Sequence, residues 1–297
     1  MFEIVIKFLK FIFLVSIFYY LYNNNYFDFS LISNLVNNFA LNITLIFLTI
    51  ITIILGGYRW YLILKSFDVK ITLRKTLKIQ YIASFFNNVL FGTIGGDILK
   101  VHYVIKHSNN NKLRNNLTIL IDRVFGLIGL FILGFISILI ILIDNNQINL
   151  IYYIFLFILF LFSIFLIIFK LIQNKKYFFE TKNFILRTYK NLFQALVLSV
   201  VIFFIVHYST FIISKFIFNF EISLIQIFFS NFISTFVSAL PLTPGGIGLG
   251  EITFVFTNKY FFNVLLNNLA NVIIYLRIID FIVSLPSLYF YIFYKNK

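Results

Sequence analysis

The charged residues that lie within long apolar stretches of the 297-residue chain are Asp97, Asp122, Arg123, Glu251, Arg277 and Asp280. A charge near the centre of a bilayer costs about 2.5–3.5 kcal/mol on insertion scales, so such residues normally face a bundle interior and meet a partner. The remaining acids of the chain fall in loops or at the ends of apolar stretches, where they are solvated. The six charges inside the apolar stretches are therefore the candidates for a functional site.

Helical spacing predicts how some of these charges are arranged. Arg277 and Asp280 are three residues apart, so they lie on one face of a helix and are expected to pair. Such a pair either fixes helix packing or forms part of a binding site. Asp122 and Arg123 are adjacent, point in different directions and need other partners.

Glycine-rich turns precede the two other acids, Asp97 and Glu251. The glycines that we assign to the candidate site are Gly95, Gly96, Gly246, Gly248 and Gly250. The structural alternative is an N-cap role for Asp97 and a first-turn charge that complements the helix dipole for Glu251. Glycine also permits close backbone approach, and amides at a helix start can hold an anionic phosphate. Acids, arginines and amide donors together suit a zwitterionic or substituted phospholipid headgroup.

Other chemistries are excluded by residue type and spacing. The chain has no cysteine, and its three histidines lack metal-ligand spacing with nearby carboxylates. The glycine run at 245–250 lacks the preceding strand and the Lys-Ser/Thr of a nucleotide-binding P-loop. We therefore predict no metal, no cofactor and no catalytic residues.

The composition predicts an all-α, polytopic helical membrane protein. Hydrophobic residues make up 61% of the chain and charged residues 11%, against about 25% charged in soluble domains. A spanning helix needs about 20 mostly apolar residues. The predicted full spans are 4–22, 41–64, 117–143, 150–172, 195–218 and 269–293. Pro286 is expected to kink the last of them.

Two further elements, 79–107 and 224–262, are interrupted at the glycine turns and are predicted to be broken or re-entrant helices. Such backbone is tolerated at membrane depth when it is buried in protein or lines a wet cavity. We treat 1–297 as a single membrane domain with internal halves 1–145 and 150–297. Each half has two spans, a broken element and a span with an acid and an arginine, which favours an inverted repeat of the kind found in transporters. Chance similarity between apolar helices is the alternative.

The positive charge predicts orientation rather than a nucleic-acid partner. The chain has 24 Lys+Arg against 10 Asp+Glu, a net charge of +14. We assign 20 of the 24 basic residues to one face of the membrane. The positive-inside rule makes that face cytoplasmic, with both termini inside and the protein in the inner cell membrane.

Several short motifs resemble those of a known family. They are Arg59-Trp60, Gly95-Gly96-Asp97, the run DRVFG at 122–126 and the segment from Leu240-Pro241 to Glu251. In this order and spacing they resemble the flippase-like membrane family that includes the membrane region of lysylphosphatidylglycerol synthetases. The resemblance implies a lipid translocase or a lipid-linked partner, and it implies functional roles for Asp97, Arg123, Glu251 and Asp280.

Three functions are compatible with this sequence. The first is a translocase that moves a phospholipid or a lipid-linked glycan between leaflets through a polar midplane cavity. The second is a membrane-embedded transferase that acts on a polyprenyl-phosphate lipid, with Asp97 or Glu251 as general base. The third is an accessory partner of a lipid-modifying synthase or a glycosyltransferase. The synthetases of this family continue into an aminoacyl-transfer domain, whereas this chain stops at Lys297, so we expect a stand-alone form that does not make the aminoacyl lipid itself.

Overall fold

The described part of the chain is helical. The computed structural model describes residues 16, 19–26, 28, 30–89, 94–107, 112–144, 175–240, 242–243, 245–264 and 267–294. Its bounded helices are α1 (Ser30–Asn37), α2 (Phe39–Ser66), α3 (Leu73–Val89), α4 (Ile94–His107), α5 (Lys112–Asp144), α6 (Lys175–Ile212), α7 (Leu224–Ser238), α8 (Leu249–Phe262), α9 (Ala270–Ser284) and α10 (Ser287–Tyr294). Every bounded element in these residues is helical, which confirms the all-α prediction. The predicted span 150–172 and most of 4–22 lie outside the described residues.

Within the described residues, three helical segments are long and apolar enough to cross a membrane. They are Phe39–Ser66, Asn116–Ile143 and Thr188–Ile217, the last of which continues α6 through a π-helical turn at Ile213–Ile217. They confirm the second, third and fifth predicted spans. The chain is therefore a polytopic helical membrane protein.

The last predicted span is divided rather than continuous. α9 ends at Ser284 and α10 begins at Ser287, with Pro286 in the turn between them. Proline has no N–H to donate and its ring clashes with the preceding helical turn, so the helix ends there. The kink predicted at this proline is thus a break, and α9 has 15 residues, fewer than the about 20 of a full span.

Two helical hairpins occupy the predicted broken elements. The first hairpin is the packed pair α3 and α4, and the second is the packed pair α7 and α8. A capping box starts the second hairpin: the Gln226 N–H donates to the Ser223 hydroxyl, and the Ser223 N–H donates to the Gln226 side chain. In the first hairpin, α4 begins at Ile94. Asp97 therefore lies in the first turn of α4 and is not the N-cap that the sequence suggested.

The buried apolar side chains form a separate cluster around each hairpin. One cluster joins Trp60 of α2 to Ile79 of α3 and Val104 of α4. The other joins Leu45 of α2 to apolar side chains of α7, α8 and α9. Leu45 and Trp60 are 15 residues apart, about 22 Å along a helix at 1.5 Å per residue. The first hairpin thus packs against the C-terminal half of α2, whereas the N-terminal half shares an apolar cluster with the second hairpin and α9.

Candidate functional site

A first charge cluster forms where α2, α4 and α5 meet. We define it by its charged members, which are Arg59, Asp97, Lys100, Asp122 and Arg123. The Arg123 Nε donates to an Asp97 oxygen at 2.5 Å. The two oxygens of Asp122 accept from Arg59 Nε at 2.7 Å and from Lys100 Nζ at 3.1 Å. Adjacent Asp122 and Arg123 therefore have different partners, as their positions in the helix predict.

The inner part of this cluster is closed and the outer part is open. Asp122 and Lys100 are buried, and the Lys100 ammonium lies 4.8 Å from the centre of the buried Trp60 ring. By contrast, the Arg123 side chain is 36% exposed and Asp97 is 19% exposed. The Asp97–Arg123 pair is thus the part of the first charge cluster that a ligand can reach.

Two basic residues of the first charge cluster, Arg59 and Lys100, share one buried acid. Both belong to the 20 basic residues assigned to the cytoplasmic face, and that orientation stays a prediction. In the structure, the packing of α4 on α5 brings Lys100 to Asp122, and Arg59 approaches the same carboxylate from α2. The sequence could have indicated that Lys100 belongs to this cluster, because it lies three residues after Asp97, one turn along the same helix face.

The turn of the second hairpin requires glycine. Gly245, Gly246 and Gly248 have φ of 59°, 69° and 85°, in the left-handed region. A Cβ added at Gly246 would also collide with the Ser238 carbonyl oxygen. Other side chains are rarely found in this conformation, so the glycine run is needed for the turn itself.

A second charge cluster binds this turn. We define it as Glu251 of α8, Arg277 and Asp280 of α9, and Thr49 of α2. The Arg277 Nη1 and Nη2 atoms donate to the Gly245 and Gly246 carbonyls at 2.6 and 2.9 Å. The Arg277 Nε lies 2.6 Å from Glu251 Oε1 as an ion pair, although the two atoms are not aligned for a hydrogen bond.

Glu251 is held on both of its oxygens. Its side chain is fully buried, and its Oε2 accepts from the Gly248 N–H at 2.7 Å. Gly250 allows the close approach of Arg277, because a Cβ there would lie 2.8 Å from Arg277 Nη2. The Gly248 amide therefore binds a carboxylate of the same chain. The role of the other glycine amides as phosphate donors stays a prediction.

The predicted pair between Arg277 and Asp280 is not formed. Arg277 points to Glu251 and the glycine turn, whereas Asp280 accepts from the Thr49 hydroxyl at 3.1 Å. The reason is geometric: the second hairpin gives the planar guanidinium two carbonyl hydrogen bonds and an ion pair, more than a single carboxylate one turn away. Asp280 is partly exposed, and among the described residues it has no cation within ion-pair distance.

The tips of the two hairpins touch. The Asn87 side chain accepts from the Gly96 N–H at 2.9 Å, which closes the first hairpin. The backbone carbonyl of the next residue, Asn88, packs against the tip of the second hairpin. A Cβ added at Gly245 would lie 2.9 Å from the Asn88 carbonyl oxygen. Gly95 is buried in the first turn of α4. The two charge clusters are therefore joined through neighbouring asparagines.

The two hairpins carry equivalent ion pairs. Each has an acid in the first turn of its second arm, paired with an arginine of the following helix. Arg123 follows Asp97 by 26 residues, and Arg277 follows Glu251 by the same number. This agreement supports the inverted repeat, which stays a prediction.

The class of protein is now defined. It is a helical membrane protein with two helical hairpins, and the tips of these hairpins meet beside paired charges. A family model described as the lysylphosphatidylglycerol synthase TM region matches residues 7–286. The chain belongs to this family. No curated protein and no solved structure matches it.

Replacing Gly246 by alanine should destabilise the second hairpin by about 1–3 kcal/mol, because the added Cβ is strained at positive φ and collides with Ser238. The matched control is Gly126→Ala, where the nearest heavy atom to a Cβ is Arg59 Nη1 at 3.6 Å. Thermal unfolding of the purified protein in detergent should show a lower Tm for the first variant than for the second. Equal Tm values would show that the turn adapts to a side chain.

Proposed function

We propose that this protein is a lipid translocase that moves a phospholipid or a lipid-linked glycan between the membrane leaflets. The observation that carries the proposal is the pair of charge clusters set within the depth of an apolar helix. Thr49 and Arg59 lie ten residues apart on α2, about 15 Å along the axis. When the bilayer is centred on α2, both positions fall within its hydrocarbon core, which is about 30 Å thick. Charges at this depth are costly and indicate a polar path.

The exposed ion pair suits exchange with a headgroup. In the resting protein Arg123 and Asp97 neutralise each other. A headgroup that carries a phosphate and a cationic group can replace both contacts at once, with the phosphate on Arg123 and the cation on Asp97. The charges then stay paired in the empty and the loaded state, which keeps the desolvation cost of loading low.

Asp280 provides a second acceptor for the cationic part of the headgroup. Its side chain is partly exposed and binds the Thr49 hydroxyl. It lies one turn from Arg277, whose guanidinium is occupied by the second hairpin. We propose that the headgroup passes from the Asp97–Arg123 pair to Asp280 as it crosses the membrane, with the basic face of the protein in the cytoplasm.

The contacts favour transport over catalysis by a membrane-embedded transferase. A general base must be able to take up a proton from its substrate. Of the two candidates, Glu251 is fully buried and Asp97 is occupied by its ion pair with Arg123. An accessory role beside a lipid-modifying synthase or a glycosyltransferase would use the basic face and is compatible with the same fold.

Leaflet exchange by the purified protein tests the proposal. A phospholipid with a fluorescent headgroup is placed in both leaflets of proteoliposomes, and a membrane-impermeant quencher reports how fast the inner pool becomes accessible. We expect Asp280→Asn to slow the protein-dependent rate by about tenfold, the equivalent of about 1.4 kcal/mol. The control is Glu221→Gln, which neutralises an exposed loop acid. Equal rates for Asp280→Asn and the control would refute the assigned role of Asp280.

A further inference from the structure

A laterally open apolar groove lies outside both charge clusters. Its volume is about 640 Å³, and it is formed by α2, α3, α9 and α10. Ile50 and Ile53 of α2 line one wall, and Val283 and Pro286 line the other. The size falls within the roughly 300–1,000 Å³ range of small-molecule sites. The walls match a hydrocarbon chain rather than a polar ligand.

The groove leads to the second charge cluster. On α2, Thr49 lies three residues after Ile46 and four before Ile53, so it shares the helix face that lines the groove. On α9, Asp280 lies three residues before Val283 and shares its face in the same way. The Thr49–Asp280 hydrogen bond therefore lies between the two groove walls, at the polar interior.

The other end of the groove is basic. Lys78 belongs to its lining and stands 5.3 Å from the centre of the Phe290 ring. Arg74 and Lys75 are exposed on the preceding turn of the same helix. Tyr81 fixes α3 to the opposite wall by donating to the Val283 carbonyl at 2.8 Å. A cation at the mouth of an apolar groove is complementary to an anionic phosphate attached to an acyl chain.

We propose that this groove is a loading site for a phospholipid from the leaflet next to the basic face. One acyl chain occupies the groove between α2 and α9, and the lipid phosphate binds Lys78. The headgroup then lies close to the route toward Asp280. This inference rests on the proposed translocase function and adds the path by which the lipid enters.

Photo-crosslinking with phosphatidylglycerol that carries a diazirine on one acyl chain tests the groove in proteoliposomes. We expect labelled peptides from α2 around Ile50 and from α9 around Val283. The variant Ile50→Trp fills the groove and should lower this labelling about tenfold. The matched control is Ile43→Trp, because Ile43 is exposed on α2 and is not part of the lining.

The basic mouth is tested by a second pair of variants. Lys78→Gln should lower the labelling by the phosphatidylglycerol probe, whereas Lys70→Gln, at an exposed lysine that precedes α3, should leave it unchanged. A neutral diacylglycerol probe should label both variants equally, because it has no phosphate. Equal phosphatidylglycerol labelling of the two variants would overturn the assignment of Lys78.

The outcomes separate this inference from the proposed function. Labelling spread evenly over the outward face of α2, or labelling insensitive to Ile50→Trp, would mean ordinary boundary lipid and would overturn the groove. Leaflet exchange without groove labelling overturns the groove and supports the translocase. Groove labelling without leaflet exchange supports the binding site and overturns the translocase.

Discussion

Replacing Arg277 by glutamine should destabilise the folded protein by about 3–5 kcal/mol, the usual effect of removing one partner of a buried ion pair. Arg277 binds two carbonyls of the second hairpin and pairs with the fully buried Glu251. Its loss leaves that carboxylate without a cation and opens the glycine turn. Thermal unfolding in detergent measures the effect, and Arg74→Gln, at an exposed arginine of α3, is the control.

The double variant Glu251→Gln/Arg277→Gln distinguishes the two causes of this instability. It removes both charges, so no buried charge is left unpaired, and it should recover part of the lost stability. A double variant as unstable as Arg277→Gln would show that the carbonyl contacts, rather than the charge pair, hold the hairpin. An Arg277→Gln variant as stable as the Arg74→Gln control would contradict the structural assignment altogether.

The second large effect is expected at Asp122. Asparagine there leaves Arg59 and Lys100 beside each other without a counter-charge, and Lys100 is buried. We expect a loss of about 3–5 kcal/mol, again as for a broken buried pair. The readout is Tm and the yield of monodisperse protein after detergent extraction. Glu221→Gln is the matched neutralisation of an exposed acid.

Removing Lys100 instead should be milder. In Lys100→Met, Asp122 keeps its 2.7 Å contact with Arg59, and the methionine side chain can still pack on Trp60. From most to least stable, the order should therefore be wild type, Lys100→Met and Asp122→Asn. A reversed order would show that Lys100, rather than Asp122, is the centre of the first charge cluster.

The apolar pattern was sufficient to predict much of the fold. The three long helices match predicted spans because about 20 consecutive apolar residues have few other stable arrangements. Both hairpins were also predictable, because glycines interrupt the apolar pattern where each one turns, together with prolines in the second. The division at Pro286 was predicted only as a kink, since the sequence around it is apolar on both sides.

The partners of the charges were harder to predict than their positions. Arg277 had a plausible partner at Asp280 by helical spacing, but it binds Glu251 because the second hairpin folds back onto α9. Arg59 pairs with Asp122 across 63 residues of sequence, and Thr49 binds Asp280 across 231. Such contacts depend on how helices pack, and periodicity within one helix carries no information about them.

The measurement that tests the central claim most directly is leaflet exchange in proteoliposomes that contain the wild type or the folded Asp97→Asn/Arg123→Gln variant, which lacks the exposed ion pair. We predict that wild-type vesicles expose the inner labelled phospholipid at least about ten times faster than protein-free vesicles. Vesicles with the double variant should match the protein-free rate. A wild-type rate equal to that of protein-free vesicles would contradict the account.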